Sequence, residues 1–140
     1  MGRKSTHKLI MDDVSDHQFF GIAASEADYK ISLRLNQLFN LKLRSDTPVK
    51  RSNGNGVRFQ RFIHRSELNE SNYQLVCNKT DRSALSSFYP ALDYLFLVCG
   101  ETGKDEGIIK ERILTIPEVT AVFLLDNEKM TEEYLLLQIL

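Results

Sequence analysis

"SSFYPALDYLFLVCG", residues 86–100, decides the architecture. From Tyr94 to Cys99 it is continuously apolar, the pattern of a central strand covered on both faces, because a strand with one wet face alternates apolar and polar residues. Pro90 fixes its own φ and biases Tyr89 away from helix, so the residues before the strand form a turn. Asp93 stands at the junction. A carboxylate there either closes the turn by accepting backbone N–H groups or serves as a catalytic acid or base. General acid–base chemistry needs a second titrating group, and the sequence shows no obvious partner, so the turn-closing role is favoured.

Working outward, "GETGKDEG" (Gly100–Gly107) follows this strand and precedes a helix, where a phosphate loop would lie. The spacing fails: the glycine and the hydroxyl residue of a P-loop would fall at Val98 and Asp105. An acidic turn is the better reading. The next helix carries the favourably ordered pair Glu106 and Lys110 and an Ile109, Ile113, Ile116 stripe, and Pro117 ends it. "VTAVFLLD" and "EYLLLQIL" read as two further strands, the last with helix as its alternative.

Upstream, "FFGIA" (Phe19–Ala23) reads as a strand. Ser25 and Asp28 have the spacing of a capping box, and Ala27, Ile31, Leu35, Leu38 and Phe39 recur at helical intervals up to Phe39. "LKLR" (Leu41–Arg44), "VRFQRFIHR" and "YQLVCN" (Tyr73–Asn78) are strand-like. "SDTPVKRSNGNG" and "SELNESN" between them are polar turns, the longer one a hairpin tip. The whole predicts an α+β domain: a mainly antiparallel sheet with two helices packed on one face. The order strand, helix, strand, strand occurs from Phe19 to Ile63 and again from Asp93 to Leu140, which gives the domain a ferredoxin-like or ACT-like character. A polar lead, residues 1–16, precedes this single domain at 17–140.

Composition bounds the class. The 140 residues are 42% hydrophobic, enough for one sizeable core. No stretch is long and apolar enough to span a membrane, and the start has no apolar signal-peptide segment, so the expectation is a soluble, cytoplasmic chain. Cys77 and Cys99 lie inside apolar runs and read as free core thiols. Net charge is −1. Residues 1–65 nevertheless hold 12 Lys and Arg against 6 Asp and Glu, and residues 66–140 hold 6 against 13. Such a dipolar surface suits steering of a partner or contact between copies.

Few residues recommend themselves as a site. Asn36 falls with Ser32 between the main apolar stripe of its helix and the pair Tyr29 and Leu33, so its half-buried amide must find partners, in a neighbouring loop or in a ligand. Asp28, Ser32, Asn36 and Asp93 are the candidate ligand-binding residues. Lys42, Arg44, Arg58, Arg61 and Arg65, within the basic segment 42–65 that also holds Phe59 and Phe62, are the candidate nucleic-acid contacts. Phe59 and Phe62 are an odd number of residues apart, so on a regular strand they face opposite sides and form no single stacking platform. His7, His17 and His64 are scattered, no CxxC or HxxxH spacing occurs, and neither GxSxG nor GxGxxG is present. No metal, cofactor or catalytic residue is assigned.

Several segments together resemble the IPExxDY family of uncharacterised bacterial proteins, found chiefly in the Bacteroidetes. They are "HKL", "GIAASEADYKISLRLNQLF", "LKLRSD", "YQLVCNK" and "YPALDYLFLV", and they span nearly the whole chain. Ala91 follows Pro90 where the naming motif has Glu, and Asp93 lies three residues after the proline instead of four. The resemblance implies a small cytoplasmic domain of unassigned activity. The functional expectation is a non-enzymatic module that binds a protein partner or a second copy through its sheet. Nucleic-acid binding through 42–65, or a small-molecule regulatory or enzymatic site near Asn36, are the alternatives.

Overall fold

The computed structural model describes residues 17–50, 57–66, 71–80, 83–100 and 106–136. The polar lead, the tip of the long hairpin, most of the "GETGKDEG" turn and the last four residues lie outside them. Among the described residues the order is β1 (His17–Ala24), α1 (Asp28–Phe39), β2 (Arg44–Lys50), β3 (Arg58–Arg65), β4 (Asn72–Cys77), β5 (Tyr94–Cys99), α2 (Glu106–Ile113), β6 (Val119–Leu124) and α3 (Asn127–Leu136). The strands form one open, six-stranded sheet in the order β2-β3-β4-β5-β1-β6, and every neighbouring pair is antiparallel. The fold is α+β.

The apolar run of β5 lies in the middle of this sheet, and alternate residues enter two different cores. Tyr94, Phe96 and Val98 join Ile31 and Leu35 of α1 and Ile109 and Ile113 of α2 on one face. Leu95 and Leu97 join Phe19, Leu85, Leu92 and, from α3, Met130 and Tyr134 on the other. Burial of both faces is why β5 reads as unbroken apolar sequence.

Three expectations are corrected. The described part of the C-terminal segment, to Leu136, takes the helical alternative, so the described residues hold three helices, and α3 covers the face opposite α1 and α2. The strand–helix–strand–strand order is therefore not repeated in the second half. Strand β2 begins only at Arg44 and runs through Asp46 and Pro48, residues that read as loop; its register against β3 shifts between Asp46 and Val49, and an edge strand tolerates proline at such a bulge. The Ser25–Asp28 capping box does not form. Ala27 is the N-cap without a side-chain cap bond, while the Asp28 carboxylate accepts the N–H of Tyr29 at 2.6 Å. At the other end Asn40 adopts φ 56°, the left-handed conformation that ends helices and that asparagine tolerates well.

Candidate functional site

Asp28 and Asp93 come to the same end of the sheet, where β1 and β4 finish and β5 begins. Asp93 Oδ2 accepts the N–H of Ala24 at 2.9 Å, and Lys79 Nζ lies 3.4 Å from Oδ1. Cys77 Sγ donates to Asp28 Oδ2 at 3.4 Å, and the Tyr94 hydroxyl donates to the Glu26 carbonyl. Burial, with Asp28 adding its negative charge, pushes the Cys77 thiol up to about 12. Burial also raises the Tyr94 hydroxyl, with Cys77, Asp28, Asp93 and Glu26 contributing. Both groups stay protonated near neutrality. The cluster offers neither a thiolate nor a phenolate nucleophile.

Asn36 and Ser32 do not join this cluster. Asn36 lies eight residues beyond Asp28, about 12 Å along α1. Its Oδ1 accepts the Leu43 N–H at 2.8 Å and its Nδ2 donates to the Leu43 carbonyl at 3.3 Å. The amide thus gives Leu43 the pairing that a neighbouring strand would supply, and it holds the buried Leu41 and Leu43 against the core. Ser32 donates to the Tyr29 carbonyl within its own helix at 2.8 Å.

The basic residues divide between the two faces. Opposed residues of an antiparallel pair share a face, so the registers Arg44 with Ile63 and Asp46 with Arg61 place Arg44 and Arg61, like Arg65, on the α3 side. Arg58 and Lys50 share the other side. Arg61 Nε donates to the Thr47 carbonyl at 3.0 Å, and Arg65 lies 3.6 Å from Asp46. Lys42 offers its backbone N–H to His64 Nδ1 at 2.9 Å. Phe59 and Phe62 are buried in opposite cores.

The densest polar network was missed from sequence. Asn78, fully buried, donates through Nδ2 to the Tyr89 and Leu92 carbonyls at 2.8 and 2.7 Å and accepts the Ser86 N–H at 2.8 Å. Glu133 of α3 accepts the Ser86 hydroxyl at 2.6 Å, the Ser87 N–H at 2.7 Å and the Ser87 hydroxyl at 2.6 Å. The network fastens residues 83–93 across the α3 side of the sheet. An asparagine directly after a strand is a turn signal, but the glutamate lies 47 residues from Ser86, so no local spacing reveals the pair. Among the described residues no cluster of three potential metal ligands occurs, and no helix is long and apolar enough to cross a membrane.

The two sheet edges differ. The β2 edge carries Arg44, Asp46 and Lys50, a proline and a bulge, devices that discourage strand addition. The β6 edge, "VTAVFL", carries no charge, and Phe123 and Leu124 are 48% and 49% exposed. Leu125 donates its N–H to the Phe19 carbonyl at 2.9 Å. By strand alternation the N–H and C=O groups of Val122 and Leu124 then point away from β1. Comparison with protein-family models and with curated proteins finds no match.

Proposed function

We propose that this chain is a non-enzymatic, cytoplasmic interaction module that pairs with a second copy of itself through β6. The observation that carries the reading is the edge that no other described residue pairs with: outward backbone groups on an uncharged strand, with Phe123 on one face and Leu124 on the other. Two copies related by a two-fold axis would extend the sheet antiparallel without opposing like charges. The charged β2 edge leaves β6 as the preferred side. Sedimentation equilibrium tests it. The wild-type chain is expected to be dimeric, Phe123→Lys with Leu124→Lys monomeric with an unchanged far-UV spectrum, and Arg44→Ala dimeric. A wild-type chain that stays monomeric at all concentrations overturns the reading.

We also infer a ferredoxin-like or ACT-like kernel, of the kind the IPExxDY resemblance leaves open. The strand order β4-β5-β1-β6, with α1 and α2 on one face, supports it, the β2–β3 hairpin being an insertion between α1 and β4.

A further inference from the structure

We infer that the α3 side of the sheet holds a binding site for a small hydroxy acid. A cavity of about 170 Å³ opens there, over two consecutive cross-strand rungs. One rung is Arg65, Asn72, Cys99 and His17; the next is Ile63, Gln74, Leu97 and Phe19. The volume is below the roughly 300 Å³ at which pockets for drug-sized ligands begin, so the site suits a small ligand.

Gln74 is the cavity-lining residue whose buried side chain the fold does not explain. It is 8% exposed on an otherwise apolar stretch of floor, and its Oε1 has no hydrogen-bond partner. An unpaired buried amide oxygen costs about 1–3 kcal/mol, which leucine at this position would avoid. The terminal amide torsion is soft, so rotation about it can present either amide atom to the cavity that Gln74 lines. Arg65 is the diagonal neighbour of Gln74 on the adjacent strand, about 7–8 Å away by sheet geometry. Its side chain is 68% exposed and, among the described residues, ion-paired with Asp46, so the guanidinium keeps donors for a carboxylate. Ile63, opposite Gln74 on the Arg65 side, and Leu97, opposite it on the other side, flank Gln74 with apolar floor. These groups would take a carboxylate on Arg65, a hydroxyl donating to Gln74 Oε1 and a short carbon body against the apolar floor.

The test is titration of the ¹⁵N-labelled chain with L-lactate and, separately, propionate. Lactate is expected to shift the Gln74 side-chain amide signals saturably and to bind more tightly than propionate. Arg65→Met should weaken lactate about tenfold or more, and Asp46→Asn should tighten it. Gln74→Leu should fold at least as firmly and lose the preference for lactate. Absence of a saturable shift, equal affinity for the two acids in the wild type, or undiminished binding by Arg65→Met overturns the assignment.

Discussion

Asp93 Oδ2 accepts the backbone N–H of Ala24 at 2.9 Å, so the side chain that precedes the central strand holds the end of the strand beside it. The main chain of Asp93 extends the clasp. Its N–H donates to the Ile22 carbonyl at 3.1 Å and its carbonyl accepts the Asn78 N–H at 2.9 Å. One residue therefore joins β1, β4 and β5. Asp93→Ala leaves the Ala24 N–H without its partner and is expected to cost about 1–3 kcal/mol. Asp93→Asn keeps an acceptor oxygen and should recover much of that. Urea midpoints measure both, and a midpoint unmoved by Asp93→Ala would remove the clasp.

Asn78 should be the costliest polar residue to lose. Its side chain satisfies the carbonyls of Tyr89 and Leu92 and the N–H of Ser86, all within the segment that crosses the sheet. Asn78→Ala strands these groups at once, and about 3 kcal/mol or more is expected because each buried group loses its partner in a low-dielectric site. Hydrogen exchange provides the regional check: amides of 83–93 should lose protection before those of β5.

The Cys77 thiol makes stability fall with alkali. Its folded-state value is about 12 against an ordinary 9.0, chiefly because burial disfavours the thiolate. Between those values the folded chain retains a proton that the unfolded chain has released, so stability is full below about 9 and declines as pH rises toward 12. Tyr94, raised for the same leading cause, carries the decline further. Urea midpoints measured across that interval should drop, and Cys77→Ala should flatten part of the slope. Iodoacetamide should label native Cys77 slowly and the unfolded chain fast.

What could be read from the sequence depended on whether a residue's job is local. The run Tyr94–Cys99 announces burial on two faces because each of its residues meets a core. Helix α1 is legible because Ile31 and Leu35 lie one turn apart on one buried stripe. Helix α3 is not, since its buried contacts Met130 and Tyr134 are followed by an apolar run that fits either period. Polar β2 reads as loop because an edge strand buries little; Val49 alone in it is buried. Asn36 and Asp93 were visible as polar residues beside apolar stripes. The partners they take, Leu43 and Ala24, follow only from tertiary pairing.

Gly21 leaves room for Leu92 of the crossing segment to lie directly against the sheet. A Cβ at Gly21 would lie 2.1 Å from Leu92 Cδ1 and 3.1 Å from Leu125 Cδ2. The glycine therefore serves close approach of a side chain, in a strand whose neighbours Phe20 and Ile22 are fully buried. Gly21→Ala must displace the buried Leu92, and a cost of about 1–3 kcal/mol is expected from overpacking. Leu92→Ala alone opens a cavity and costs about 2–5 kcal/mol. In the double variant the new methyl occupies space that the leucine has vacated, so the two losses should not add. A double-mutant cycle in urea should show a favourable coupling of about 1 kcal/mol or more, within the range for residues in direct contact. Strict additivity would mean that Leu92 does not lie over Gly21, and that residues 83–93 pack on the sheet by some other contact.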